Sequence, residues 1–183
     1  MLFRSLYVGD LRKGFAPAVR ALASVAGARL VGVSRTNPRE FMATATASGV
    51  ADRVTVCPPT NQIERYYAAA DALVLPTPYD AFGMVITEAM ACGLPVITTP
   101  LAGAAELMTP GVEGLLVDSP ADVKALATAM RALTTSQELR ERMGTAAAAL
   151  MTQHTWDRVA ARTLEVYRQH LTRQPTSRPV VGR

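Results

Sequence analysis

Residues 72–98 read ALVLPTPYDAFGMVITEAMACGLPVIT and contain one complete strand–helix–strand unit. Ala72–Leu75 and Pro95–Thr98 are short apolar runs, and Gly83–Ala91 between them has the length of a helix that is closed by Gly93. Apolar strands this short, separated by helices of about ten residues, are typical of a parallel sheet that is covered on both faces.

The same alternation continues on both sides of this unit. Six short runs are predicted as strands: Leu2–Gly9, Arg29–Val33, Arg53–Cys57, Ala72–Leu75, Pro95–Thr98 and Leu115–Val117. Helices are predicted between them, over Ala16–Ala26, Pro38–Ser48, Asn61–Ala70 and Gly83–Ala91. After Asp118 only helices are predicted, over Pro120–Leu133, Gln137–Met151 and Trp156–Leu171. We therefore predict an α/β fold with a doubly wound parallel sheet, and a C-terminal helical block packed against one edge or face of it.

Length and composition predict one folded domain over residues 1–171 and a flexible tail over residues 172–183. The chain has 183 residues, of which 49% are hydrophobic, so it can bury a sizeable core. It has no uninterrupted run of about 18 apolar residues, and its N-terminus reads into a strand rather than a signal peptide. Cys57 and Cys92 lie far apart without a C-x-x-C motif, which argues against a disulfide framework and a zinc site. We expect a cytoplasmic protein without a metal site.

The basic charge lies at one end of the chain. Residues 162–183 hold five arginines and one glutamate, which accounts for the whole net charge of +4. Because this segment holds a single tyrosine, Tyr167, and not the repeated interleaving of aromatic and basic side chains that nucleic-acid binders show, we expect no nucleic-acid partner. A solvated arginine-rich tail is one interpretation, and a weak peripheral contact with an anionic membrane face is the other.

Ligands of open α/β sheets bind outside the carboxyl ends of the strands, which points to the loops after Gly9, Cys57, Leu75 and Thr98. The first of these loops reads GDLRKG over residues 9–14 and precedes a helix. Its backbone N–H groups and a lysine could hold a phosphate, although an ordinary turn with exposed cations has the same pattern. The glycine motifs of dinucleotide-binding and P-loop proteins are both absent from the sequence.

Glu88 is the one carboxylate between Ala81 and Ile97, in an otherwise apolar run. An unpaired buried carboxylate is costly, so a partner is expected. Helical side chains lean toward the N-terminus, where a ligand with a vicinal diol, such as a ribose, could satisfy both oxygens. Pairing with an arginine of a neighbouring helix is the alternative.

Asp80 stands just before the same helix. It could be the N-cap of that helix, or it could face a ligand at the helix end. Gly83 has no side chain, which would allow a pyrophosphate or a sugar to approach closely.

The spacing of these acids, Asp80-x7-Glu88 followed by AMACGLPV over residues 89–96, resembles the acidic-x7-Glu signature of family 4 (group 1) glycosyltransferases. These are retaining enzymes of the GT-B fold. Further similarities lie, in the expected order, at Val8-Gly9 with Lys13-Gly14, YYAAAD over residues 66–71, GAAE over 103–106, GLLV over 114–117 and Trp156-x10-Tyr167. The resemblance covers about residues 2–171 and implies one Rossmann-like half of a GT-B fold, the donor-binding one.

The resemblance also implies roles for individual residues. Glu88 would hydrogen-bond the ribose of a nucleotide-sugar donor, Asp80 would lie near the hydroxyls of the sugar, and Lys13 would hold the diphosphate and compensate its charge as it leaves. Asp80 and Lys13 are thus the implied catalytic residues. The backbone of residues 82–85 would contact the sugar and the diphosphate, and the loop of residues 58–60 would lie beside the base. The full implied donor-binding set is Gly9, Arg12, Lys13, Pro58, Thr60, Asp80, Phe82, Gly83, Met84, Val85 and Glu88. Residues 99–106 would close the side of the donor site that holds the sugar.

Two residues depart from the family pattern. Many members carry Glu where this chain has Asp80, and we interpret the shorter aspartate as a change in how far the carboxylate reaches toward the ligand. Members often carry Arg directly after the first glycine, whereas Asp10 follows Gly9 here, and Arg12 is the candidate substitute for that cation.

The activity that the resemblance implies is transfer of a sugar from a nucleotide-diphospho-sugar with retention of configuration, with the leaving phosphate assisting deprotonation of the acceptor. It implies neither a metal nor a cofactor. The expected partner is an N-terminal acceptor-binding domain that this chain does not represent. The resemblance implies that the helix over Trp156–Leu171 crosses back to that domain. The alternatives are a nucleotide-sugar-binding module without activity of its own, and an oligomerising or regulatory domain that has lost its ligand.

Overall fold

The computed structural model of the protein describes residues 3–173, and it contains a six-stranded parallel sheet. The strands are β1 (Phe3–Val8), β2 (Ala28–Val33), β3 (Val54–Cys57), β4 (Ala72–Leu75), β5 (Val96–Thr98) and β6 (Gly114–Leu116). Their spatial order is β3-β2-β1-β4-β5-β6, so the chain winds outward from β1 in one direction and then returns to β4 and winds outward in the other. This is the predicted doubly wound α/β fold.

Six helices lie with the sheet in the first of two compact units, which spans Met1–Met151. They are α1 (Phe15–Ala23), α2 (Pro38–Ala47), α3 (Ile63–Ala69), α4 (Met84–Ala91), α5 (Val123–Thr135) and α6 (Gln137–Met151). The predicted helical block is confirmed for α5, which packs on α1 and β5, and for α6, which packs on α4 and β6. The contact of α6 with α4 is close because Gly144 has no side chain, and a Cβ there would collide with the carbonyl oxygen of Gly93.

The start of α5 was predicted wrongly at Pro120. The helix begins at Val123, and the side chain of Asp122 caps it by accepting a hydrogen bond from the Ala125 N–H at 2.9 Å. The residues before the cap form a turn in which the Asp122 N–H donates to the Ser119 carbonyl. Ser119 closes this turn, since its Oγ accepts from the Ala121 N–H at 3.2 Å, and the helix starts only at the next cap, Asp122.

The second unit begins at Thr152 and contains α7 (Trp156–Arg173). Apolar side chains recur along α7 at helical spacing, at Trp156, Val159, Leu164, Tyr167 and Leu171. The predicted tail lies outside the described residues from residue 174 onward. None of the helices described between residues 3 and 173 is both long enough and apolar enough to cross a membrane.

The loops that follow β1 and β4 touch at the point where the sheet changes winding direction. Gly14, the N-cap of α1, has φ +89°, and a Cβ at this position would collide with the carbonyl oxygen of Pro76. Positive φ is costly for residues with a side chain, so conformation and space both require glycine here. The loop of residues 9–14 is thereby held against the loop that begins at Pro76.

We predict that Gly14→Ala destabilises the protein more than Gly111→Ala does. Gly111 has a similar φ of +84° but nothing within 4 Å of an added Cβ, so its replacement costs only the backbone strain, about 1–2 kcal/mol. The clash at Gly14 should add about 1–3 kcal/mol. Chemical unfolding of both variants measures the difference, and equal losses would show that the two loops are not in obligatory contact.

Candidate functional site

A cleft of about 400 Å³ lies at the carboxyl ends of β1, β2 and β3. Its walls come from the last residues of two strands, from the loops after β1, β2 and β3, and from α3 and α4: Val8, Gly9, Asp10, Val33, Ser34, Arg35, Thr36, Pro59, Thr60, Ile63 and Glu88. This edge of a doubly wound sheet is where ligands bind. Of the predicted donor-binding residues, the structure brings Gly9, Thr60 and Glu88 together in this cleft.

Glu88 is half-buried on α4 and is hydrogen-bonded to a tyrosine. The hydroxyl of Tyr67, on α3, donates to Glu88 Oε2 at 2.8 Å. The arginine pairing considered above is not found, and among the described residues Oε1 of Glu88 has no hydrogen-bond partner. Burial, reinforced by the nearby carboxylate, raises the pKa of Tyr67 far above its usual range, so the hydroxyl remains a donor at any physiological pH.

Lys13 and Asp80 form an ion pair beside the cleft. Lys13 Nζ lies 2.6 Å from Asp80 Oδ2, and the pair joins the loop after β1 to the loop after β4. Lys13 also packs close to Gly9, which lines the cleft, since a Cβ on Gly9 would lie 3.1 Å from Lys13 Cγ. Asp80 is not the N-cap of α4: that position is Gly83, with φ +86° and no side-chain cap. The two implied catalytic residues are therefore in direct contact.

A neighbouring segment holds the Asp80 loop in place through the backbone. The Asp80 N–H donates to the Leu101 carbonyl at 3.1 Å, and the Gly103 N–H donates to the Asp80 carbonyl at 3.0 Å. The Ala104 N–H donates to the Phe82 carbonyl at 2.6 Å. The segment of residues 99–106, which the resemblance predicts to close the sugar side, thus lies beside the Asp80 loop.

Arg12 is not among the residues that line the cleft. Its guanidinium lies 2.7 Å from Asp10 Oδ2, and its side chain is 90% exposed. The hydrogen bond from Arg12 lowers the pKa of Asp10, and the same bond raises the pKa of Arg12. Arg12 lines a separate hollow with Pro17 and Pro78, whereas its partner Asp10 lines the cleft.

Of the other predicted donor-binding residues, four follow Asp80 closely in the chain and one, Pro58, follows β3. Phe82 and Met84 are about half exposed, Gly83 is buried, and Val85 is partly buried at the start of α4. Pro58 is exposed and is not among the residues that line the cleft, where Pro59 stands instead.

Sequence reasoning missed one wall of the cleft and one contact. The wall is Ser34–Thr36 after β2, which includes the exposed cation Arg35. The rule that ligands bind at carboxyl ends applies to β2 as well, so this loop could have been named. The contact is that of Tyr67 with Glu88, for which the sequence carries no signal. Between residues 3 and 173, no group of three or more His, Cys, Asp or Glu side chains is placed to hold a metal ion.

We predict a measurable coupling between Lys13 and Asp80 in the free protein. A double-mutant cycle with Lys13→Met and Asp80→Asn should give about 0.5–1 kcal/mol of interaction free energy, because both side chains are largely shielded, at 32% and 16% exposure. The matched cycle with Arg12→Met and Asp10→Asn should give less, and salt should weaken it more. Urea unfolding at low and high salt provides the values, and a larger coupling for the exposed pair would contradict the geometry.

Comparison with known proteins identifies the family. The family model described as glycosyl transferases group 1 matches residues 3–136. The D-inositol 3-phosphate glycosyltransferase of Xylanimonas cellulosilytica is 37% identical over 139 residues, which are 75% of this chain and 33% of that protein. The chain thus spans about a third of the length of that relative.

Two solved structures share the fold. Sucrose-phosphate synthase from Thermosynechococcus elongatus superposes with a TM-score of 0.86 at 30% identity, over 94% of this chain and 46% of that one. HepE from Anabaena, solved in complex with UDP and glucose, gives a TM-score of 0.81 at 25% identity, over 90% of this chain and 48% of that one. Together with the family model, these similarities show that the chain belongs to the group 1 glycosyltransferases.

Proposed function

We propose that this chain is the donor-binding domain of a glycosyltransferase, and that it binds a nucleotide-diphospho-sugar at the carboxyl edge of its sheet. The observation that carries the proposal is the Glu88 carboxylate in the wall of the cleft, whose Oε1 has no hydrogen-bond partner among residues 3–173, beside the ion pair of Lys13 and Asp80. The complex of HepE with UDP and glucose supports the choice of a nucleotide donor.

Glu88 is suited to a ribose. A carboxylate oxygen accepts hydrogen bonds only, and ribose hydroxyls are donors. The cleft around it holds the apolar side chains of Val8, Val33 and Ile63 together with a few polar groups, a combination common in sites for small organic ligands. The base would lie toward Pro59 and Thr60, as the resemblance implies for the loop after β3.

The diphosphate would recruit Lys13. A phosphate group competes with a carboxylate for the same ammonium, and a diphosphate carries more negative charge than Asp80 does. Exchange of partners would leave Lys13 on the diphosphate and free Asp80 to accept hydrogen bonds from the sugar. Both residues then position the donor and balance charge, and neither acts as a nucleophile.

In the reaction that we propose, the bond between the anomeric carbon and the diphosphate oxygen breaks, and a bond to the acceptor oxygen forms on the same face. The proton of the acceptor hydroxyl passes to the leaving diphosphate. Because the new bond forms on the same face as the broken one, configuration is retained without a covalent enzyme intermediate. Lys13 stabilises the charge that develops on the leaving group. An acceptor-binding domain completes the cleft, because the chain spans about a third of the glycosyltransferase relative and about half of the structural neighbours.

We expect binding of a nucleoside diphosphate to depend on Glu88 and Lys13. Isothermal titration with UDP, GDP and ADP should identify at least one that binds, and Glu88→Gln and Lys13→Met should each weaken it by about 10-fold or more, the loss of one hydrogen bond to a charged group. The matched controls are Glu141→Gln on α6 and Lys124→Met on α5, which should bind within about 2-fold of the natural protein. Retention of full affinity in Glu88→Gln would overturn the proposal.

A transfer assay separates the enzyme from a binding module. The assay is run with the chain alone and with an acceptor-binding domain added. Nucleotide binding without sugar transfer or donor hydrolysis in both cases would favour a binding module without activity. The absence of binding by all three nucleotides, with no thermal stabilisation, would favour a domain that has lost its ligand.

A further inference from the structure

We infer that Tyr67 is a positioning residue for the donor nucleotide: its hydroxyl holds one oxygen of Glu88 so that the other faces the ribose. This inference rests on the proposed function and adds to it a residue that does not touch the ligand. Tyr67 is 1% exposed and does not line the cleft, whereas Glu88 does.

The hydrogen bond connects two helices that follow different strands. Tyr67 lies near the end of α3, after β3, and Glu88 lies in α4, after β4. The tyrosine ring belongs to the buried core, so packing restricts its hydroxyl to one position. The bond of 2.8 Å therefore fixes Glu88 to a rigid point of the fold.

A carboxylate needs such a point to present one oxygen reliably. The last torsion of a glutamate side chain is broad, so an unrestrained carboxylate samples many orientations. A donor on Oε2 selects one orientation and leaves Oε1 available in the cleft. The ligand then loses less affinity to the ordering of the side chain, which is the general benefit of preorganisation.

The chemical nature of the partner matters as much as its position. An arginine in the place of Tyr67 could bind both carboxylate oxygens in its planar fork and would cancel the charge of Glu88. A neutral hydroxyl occupies one oxygen only and leaves the negative charge in place. Tyrosine thus satisfies the half-buried carboxylate and keeps it a strong acceptor.

The test combines Tyr67→Phe with a change in the ligand. The probe is whichever of UDP, GDP and ADP binds the natural protein most tightly, together with its 2′,3′-dideoxy form, which lacks the ribose hydroxyls. Tyr67→Phe should weaken the ribonucleotide by about 5-fold and the dideoxynucleotide by less than about 2-fold, because only the former uses Glu88. In a complete enzyme the KM for the donor should rise while kcat stays unchanged.

Tyr66→Phe is the matched control, since Tyr66 is the preceding residue of α3, does not line the cleft and makes no hydrogen bond to Glu88, which accepts from Tyr67. It should bind both nucleotides like the natural protein. Equal weakening of both nucleotides by Tyr67→Phe would mean that the tyrosine is merely structural, and no weakening at all would also overturn the inference. A natural protein that binds the two nucleotides equally would instead refute the proposed role of Glu88.

A second measurement does not depend on the variant folding. In a crystal structure of the natural protein with the same ribonucleotide, Glu88 should keep Oε2 on Tyr67 and should meet the ribose with Oε1. A carboxylate that releases Tyr67 and binds the ribose with both oxygens would refute the positioning role while leaving the proposed function intact.

Discussion

Glu88 is held by a single neutral hydroxyl that leaves its charge uncompensated, and the interpretation of the cleft depends on this arrangement. A half-buried carboxylate that met a guanidinium would be satisfied within the protein and would have little to offer a ligand. The bond from Tyr67 covers one oxygen at 2.8 Å and leaves the other without a partner among residues 3–173. The proposed binding site at the edge of the sheet rests on this arrangement.

The site also depends on the topology of the sheet. β1 and β4 are neighbours although 63 residues separate Val8 from the start of β4 at Ala72, and this adjacency brings the loops after both strands together. Gly14 then allows one loop to approach the carbonyl of Pro76 closely, and Lys13 meets Asp80 across the junction. A residue with a side chain at position 14 would separate the loops and, with them, the two charged groups.

The sequence predicted the sheet well because each strand is a short apolar run between helical segments, and burial on both faces imposes that pattern. It predicted the start of α5 poorly, since Pro120 and Asp122 are both favourable near a helix start and only the cap geometry decides between them. For Lys13, Asp80 and Glu88 the residue pattern left a ligand role and a structural role open, and only the family signature favours the ligand role. The contact with Tyr67 was not accessible at all, because α3 and α4 are separate helices and nothing in their residue patterns states which side chains meet.

The two carboxylates of the signature are prepared differently for a ligand. Glu88 already presents an oxygen in the cleft, so the nucleoside end of a donor would bind without rearrangement of this side chain. Asp80 Oδ2 is held by Lys13, so we expect a diphosphate that recruits Lys13 to weaken that ion pair. The binding free energy of the nucleoside would then offset the loss of the ion pair, and a free sugar, which brings neither ribose nor phosphate, would leave the pair closed. On this argument, the same contacts that hold the empty site together also favour a complete nucleotide sugar over its parts.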